Sequence, residues 1–189
     1  MLSINHAGTQ TIYTERLTLR RFSIDDVDSL YKNWACDPDV VKFMRMPSHN
    51  NANETKEFVE SMLCKYDKMD TYRWVIVLNE INEPIGFIGI TTISEYDMLG
   101  DFGYSIGESF WNKGYATEAL AAVLRYGLLE AGFNRLEAYH SINNMPSGKV
   151  MKNAGMTYEG RAKQKYKSNM GFEDCDMYSI VNANQQLKL

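Results

Sequence analysis

The residues of this chain best placed to do chemistry gather in one segment, Ile106-Gly107-Glu108-Ser109-Phe110-Trp111-Asn112-Lys113-Gly114-Tyr115-Ala116-Thr117-Glu118-Ala119. It reads as a strand end, a tight loop centred on Gly114, and the first turn of a helix that continues to Leu129. The first N–H groups of such a helix have no intrahelical acceptor and lie at the positive end of its dipole. That arrangement binds anions, and a pyrophosphate fits it. Gly114 lets the backbone approach an anion in conformations closed to other residues. Ala116 leaves room for the same approach, and Lys113 adds a positive charge. The chain holds neither G-x-x-x-x-G-K-[ST] nor G-x-G-x-x-G, so P-loop and Rossmann readings lack their fingerprints. Taken alone, the segment also reads as an ordinary strand-to-helix connection.

The segment resembles the coenzyme A loop of GNAT-superfamily N-acetyltransferases, written [QR]-x-x-G-x-[GA]. Here it stands as Trp111-Asn112-Lys113-Gly114-Tyr115-Ala116, with Trp111 where the pattern has Gln or Arg. The form W-x-K-G-Y-A-T-E-A is similar to that of the RimJ/RimL-like branch, the ribosomal-protein alanine and serine acetyltransferases. Asn144-Met145-Pro146-Ser147, followed by Val150-Met151-Lys152-Asn153-Ala154-Gly155-Met156, resembles that branch's N-x-x-S…G-[FM] segment. Thr14 to Phe22 resembles its first strand, and Glu159-Gly160 with Asp174 and Tyr178 falls where the branch has its last strands. The likeness runs from about residue 11 to 182, within one expected domain over 1–189.

The resemblance implies an α/β fold of the GNAT type: a central mixed, mostly antiparallel twisted sheet, two splayed parallel central strands, and helices on both faces. It implies acetyl-CoA as cosubstrate and no metal. The coenzyme would meet the backbone of Tyr104, Ser105 and Ile106 and the loop residues Trp111, Asn112, Lys113, Gly114, Tyr115, Ala116 and Thr117. Asn144 would bond the pantetheine arm, and Ser147 would lie near the thioester sulfur.

Moving an acetyl group from a thioester to an amine needs a neutral amine, a donor for the developing oxyanion and a proton for the leaving thiolate. A lysine-type amine is mostly protonated at neutral pH and an α-amine much less so, so an α-amine asks less of a base. No Cys/His or Ser/His/Asp arrangement is visible in the sequence, which suits direct transfer with both substrates bound. Ser147 is the expected proton donor, with local hydrogen bonding in a first helical turn as the competing reading. Asn144 also suits a helix cap. Asp101 ranks first as base, Glu137 on the neighbouring strand second, and Glu108 follows. A solvated surface position is the competing reading for each, and a water chain ending on carbonyls would serve as well. Glu118, in a first helical turn, reads as structural. The acceptor stays open among a protein N-terminus, a polyamine, an amino acid and an amine-bearing antibiotic. A cationic drug would need an acidic pocket, for which Asp37, Asp39, Glu95, Asp97 and Asp101 are available. A non-catalytic coenzyme-binding sensor would carry the same loop, and Ser147 favours the enzyme. The stretch Trp34 to Asn50 is the expected acceptor wall, with Met46 and His49 in it.

These groups need a scaffold to hold them. Residues 15–22 alternate as a strand. Ser23 caps a helix with Asp25 and Asp26 in its first turn, and Asp37-Pro38 opens a short one. Phe58, Met62 and Tyr66 recur at four-residue spacing in a helix over 54–68 capped by Asn53. Residues 74–78 and 84–93 form a hairpin. Residues 101–107 and 134–141 are strands, the latter with Leu136 and Ala138 on one face and Glu137, Tyr139 and Ser141 on the other. A helix over 145–153 stops at Gly155, and strands near 156–167 and 174–182 close the chain. On the strand near 156–167, Arg161, Lys163, Lys165 and Lys167 alternate on one face, read as solvated charges that discourage edge pairing. The net charge of −4 argues against nucleic-acid binding. No apolar run reaches membrane length, and Met1 to Ala7 lacks the features of a leader, so a cytoplasmic monomer or homodimer is expected. Cys36, Cys64 and Cys175 are too few and too dispersed for a disulfide framework and read as buried apolar residues. The scattered His6, His49 and His140 suggest no metal.

Overall fold

Strand alternation decides which side chains face which layer. The computed structural model describes residues 3–183; Met1 and Leu2, part of the stretch read for a leader, lie outside them. The strands are β1 (Ile12–Tyr13), β2 (Leu17–Arg20), β3 (Tyr72–Leu78), β4 (Glu83–Ser94), β5 (Leu99–Ile106), β6 (Arg135–Ser141), β7 (Thr157–Ser168) and β8 (Gly171–Val181). They form one sheet in the order β1-β2-β3-β4-β5-β6-β8-β7. Every pairing is antiparallel except β5 with β6. This is the mixed, mostly antiparallel sheet that the sequence implied.

Helices cover both faces. α4 (Tyr115–Arg125) and α5 (Met145–Asn153) pack on one. α4 turns Ala119, Leu120, Val123 and Leu124 inward, the spacing of one helical face. They meet Leu17, Leu19, Trp74, Ile76, Ile88, Phe102, Leu136 and Ala138 in a single core. The other face carries α1 (Val27–Leu30), which runs on into a π-helical turn over Tyr31–Ala35, then α2 (Pro38–Val41) and α3 (Ala52–Leu63). There Trp34 is wholly buried with Val59, Val75 and Val77. Its ring meets Phe87 edge-on at 5.1 Å, and its Nε1 donates to Ser105 Oγ at 2.8 Å. That bond satisfies a polar atom that burial would otherwise leave without a partner.

Several sequence-based boundaries move, each for a local reason. The first strand is shorter than 15–22 because Thr14 Oγ1 accepts from the Leu17 N–H at 3.0 Å and makes a turn before it. Asn51, not Asn53, caps α3: its side chain accepts from the N–H groups of Asn53 and Glu54. α3 ends at Leu63, so Tyr66 lies beyond it, buried, with its hydroxyl donating to the Arg73 carbonyl at 2.8 Å. The basic alternation on β7 is broken. The register between β7 and β8 shifts between Ala162 and Tyr166, with Gln164 in a left-handed conformation (φ 46°). Arg161 pairs with Asp176, whereas Lys165 leaves the row and sits over the Tyr139 ring. Of the cysteines only Cys175 is buried; Cys36 and Cys64 are exposed. Among the described residues no helix is long and apolar enough to cross a membrane.

Candidate active site

β5 and β6 pair only from Leu99–Arg135 to Asp101–Glu137. Beyond that point the two parallel strands part, and Phe102 to Ile106 lose Ala138 to Ser141 as neighbours. A cavity of about 860 Å³ fills the gap. The glycine loop closes one end of it. Gly114 is the N-cap of α4 with φ 83°, a left-handed conformation that suits glycine, and no side chain caps the helix. The N–H groups of Tyr115, Ala116 and Thr117 therefore lack intrahelical acceptors at the cavity wall. Asn112, also left-handed at φ 59°, and Trp111 line the same end. Trp111 is tied down by a 2.6 Å bond from its Nε1 to the Ile106 carbonyl. Of the expected loop contacts Lys113 alone is not part of the lining; its Nζ lies 5.8 Å over the Phe110 ring.

What fixes this loop is a residue that sequence reading left inside a strand. Arg16 donates through Nη1 to the Lys113 carbonyl at 2.9 Å, and its guanidinium lies 4.7 Å over the Tyr115 ring. Its Nε and Nη2 both reach Glu118 Oε2 at 2.7 Å. Burial alone would raise the Glu118 carboxyl, but bonds from Thr14, the Arg16 amide and the Arg16 side chain outweigh it and hold the group below its ordinary value. Glu118 is thus a neutralised structural carboxylate, as its position in the first turn suggested. The motif Thr14-Glu15-Arg16 gave no sign of this role, because its partners lie about a hundred residues away.

α5 supplies the next wall. Asn144 is its N-cap by backbone only: its side chain makes no capping bond and lines the cavity. Ser147 Oγ lies 2.8 Å from the Tyr104 hydroxyl, which also reaches the Ser147 carbonyl at 2.9 Å. Burial pushes the Tyr104 phenol well above its ordinary value, so it keeps its proton. The sequence marked the Tyr104 backbone; the side chain's contact with Ser147 follows from α5 packing against α4 and β6, across the gap from β5. Gly148 lets His140 in: a Cβ there would stand 2.3 Å from His140 Nε2.

The far end of the cavity lies on the opposite face of the sheet. Asp101 and Glu137, directly paired across β5 and β6, share that face with Tyr139, but of the three only Tyr139 lines the main cavity. Asp101 Oδ1 is buried with no hydrogen-bond partner among the described residues. Burial, followed by the charge of Glu137, pushes its carboxyl up from 3.8 to about 6. It lines a side cavity of about 210 Å³ with Arg73, Phe87, Thr91 and Tyr139. Glu137 is differently placed, since Arg135 Nε holds its Oε1 at 2.6 Å. Glu108 is exposed in a 3₁₀ turn after β5 and does not line the cavity. Of the five acids considered for an acidic pocket, only Asp101 is at the site. Asp37 caps α2, Glu95 pairs with His6, and Asp97 accepts from Ser94 in a turn. Met46 lines the cavity as expected, but His49 does not. It is buried against Trp34, bonded to Thr55 at 2.9 Å, and burial lowers its basicity.

A mixed sheet whose two parallel strands part around a cavity, with an uncapped helix N-terminus at one end, is the architecture that the resemblance implied. A family model described as the acetyltransferase (GNAT) domain matches residues 16–157. The chain belongs to the GNAT family and is an N-acetyltransferase. It is 30% identical over 172 residues to the uncharacterized N-acetyltransferase p20 of Bacillus licheniformis, covering 91% of this chain and 96% of that one. The crystal structure of a GNAT-family acetyltransferase from Bacillus anthracis superposes with a TM-score of 0.79 at 27% identity, over 92% of this chain and 99% of that one. RimL, a ribosomal α-N-protein acetyltransferase solved in complex with coenzyme A, shares the fold with a TM-score of 0.79 at 21% identity, over 92% and 99%.

Proposed function

We propose that this N-acetyltransferase takes its acetyl group from acetyl-CoA and passes it to an α-amine, with Asp101 as base and Ser147 as proton donor. The observation that supports the reading is the gap between β5 and β6 that opens just beyond Asp101: the Ser147–Tyr104 pair lines it, and Asp101 lines a side cavity that shares Phe87, Phe102, Gly103 and Tyr139 with it. Acetyl-CoA, when bound, supplies a thioester-activated acetyl group. The free amides at the start of α4 fit its pyrophosphate, with Gly114 leaving the approach open. β5 beyond Asp101 has no strand partner on the β6 side, which suits bonding to the pantetheine amides. Asn144 offers its uncommitted side chain to the same arm.

Asp101 takes the proton from the incoming ammonium. A carboxylate near 6 is largely ionised at neutral pH yet more basic than a solvated aspartate, closer to the match a general base needs. An α-amine, with a pKa of about 8, demands less of it than a lysine side chain would. Glu137 raises Asp101 through its charge and keeps its own carboxylate on Arg135, a positioning role. Ser147 donates a hydrogen bond to the leaving sulfur, its hydroxyl oriented by Tyr104. The experiment is thiol release from acetyl-CoA by purified protein across peptides with Ser, Ala and Met N-termini, free amino acids, spermidine and aminoglycosides. Release above the no-acceptor rate with α-amines supports the reading. Release only with spermidine or aminoglycosides would refute it.

A further inference from the structure

We infer that the acceptor bears a carboxylate close to its amine, read by Arg45 and Lys165. The inference rests on the α-amine reading above and narrows it to acidic amino acids or peptides with an acidic residue beside the N-terminus.

The two cations converge on one ring. Arg45 Nη2 donates to the Tyr139 hydroxyl at 3.0 Å, and Lys165 Nζ lies 5.6 Å over the face of the same ring. Tyr139 itself lines both the main cavity and the side cavity that holds Asp101. Arg45 lines the main cavity and Lys165 stands beside it on the Tyr139 ring, so both charges lie on the Asp101 side, away from the glycine loop. Arg45 is also stacked 5.4 Å over Tyr166.

Their placement is built rather than incidental. The segment bearing Arg45 is clamped to the β7–β8 turn: Asn169 Nδ2 donates to the carbonyls of Val41 at 2.9 Å and Met46 at 2.8 Å, and the Tyr166 hydroxyl donates to the Phe43 carbonyl at 2.8 Å. The β7 irregularity at Gln164 brings Lys165 out of its row and over Tyr139. Among the described residues neither Arg45 nor Lys165 forms an ion pair. The acids around them are committed elsewhere. Glu137 is held by Arg135, and Glu173 is buried and bonded to Ser141 and Ser168. The Asp101 carboxyl feels both cations.

A fixed guanidinium and an ammonium with free donors suit a carboxylate, which arginine can grip through two bonds. The same pair repels a polycation, so spermidine and aminoglycosides are disfavoured by charge.

The test compares kcat/KM for three tetrapeptide amides that differ only at the second position, Ser-Asp, Ser-Asn and Ser-Lys, with free aspartate and its diamide as a second pair. We expect Ser-Asp to exceed Ser-Asn by about tenfold and Ser-Lys by more, the scale of a charge-assisted hydrogen bond. Preference within the free pair alone also supports the inference and identifies a free amino acid as the carboxylate source. The preference should shrink with added salt and disappear in the R45Q/K165Q double variant. Equal rates, or a lead for Ser-Lys, overturn the inference while the observed thiol release leaves α-amine transfer standing. No release from any of these amines, in protein that binds acetyl-CoA, overturns the α-amine reading and this inference together.

Discussion

Replacing Asp101 with Asn should stabilise the folded protein while disabling it. In the fold, burial and Glu137 lift the carboxyl from 3.8 to about 6. A raised carboxyl favours folding when protonated: the contribution is present in full below about 3.8 and is lost as pH rises through about 6. Above that window the wild type folds with a strained carboxylate, at a cost of up to about 3 kcal/mol for a displacement of roughly two pH units. Solvent at the half-buried carboxyl reduces this to about 1–2 kcal/mol, and the new amide hydrogens need acceptors, which reduces it further. Urea unfolding of both proteins at about pH 4.5 and about pH 8 measures the difference. The variant should gain about 1 kcal/mol on the wild type between the two conditions. Its kcat/KM should fall by about 10²–10⁴, the worth of a general base. In the wild type, activity should climb through an apparent pKa near 6, below the rise that belongs to the amine. A stability difference that does not change with pH would mean that Asp101 titrates normally, and the argument for its role as base would fail.

Other perturbations probe the remaining walls. Ser147→Ala should lower kcat by about 10–100-fold with the acetyl-CoA dissociation constant within about twofold, since it removes a proton donor and no anchoring group; a large loss of coenzyme affinity would reassign the residue to binding. Gly114→Asp forces a side chain onto a left-handed backbone 3.3 Å from Arg16 Nη2 and sets a negative charge beside the pyrophosphate site. Calorimetry should show acetyl-CoA affinity down by about 100-fold or more, and unchanged affinity would remove this loop from the site. Arg16→Gln frees the Lys113 carbonyl and leaves Glu118 without its cation. KM for acetyl-CoA should rise by about tenfold with kcat less affected, as for a residue that positions the loop. Gly148→Ala drives a Cβ into His140 and should cost about 1–3 kcal/mol in a urea melt; a neutral result would show that α5 can shift.

The sequence by itself determined the fold class, the loop and the order of the walls. A glycine between a strand and an amphipathic helix also fits an ordinary connection, so Trp111 to Thr117 were legible as a coenzyme loop only through the resemblance, together with the Asn144 to Ser147 match downstream. The alternation of β6 put Leu136 and Ala138 in the core and Glu137 and Tyr139 on the other face before any coordinates, because strand periodicity is a property of the backbone. Tertiary structure decided what depends on distance along the chain. Arg16 acquires its role from contacts about a hundred residues away, and Tyr104 meets Ser147 because α5 packs against α4 and β6, across the gap from β5. A bulge detached Lys165 from a regular basic strand, and burial drew His49 from the expected acceptor wall into the core. Asp101 and Glu137 looked alike as carboxylates on adjacent strands. Desolvation on one and an arginine on the other separated them: Arg135 stands two residues before Glu137 on the same face of β6 and was legible in the strand, whereas the burial of Asp101 depends on residues far along the chain.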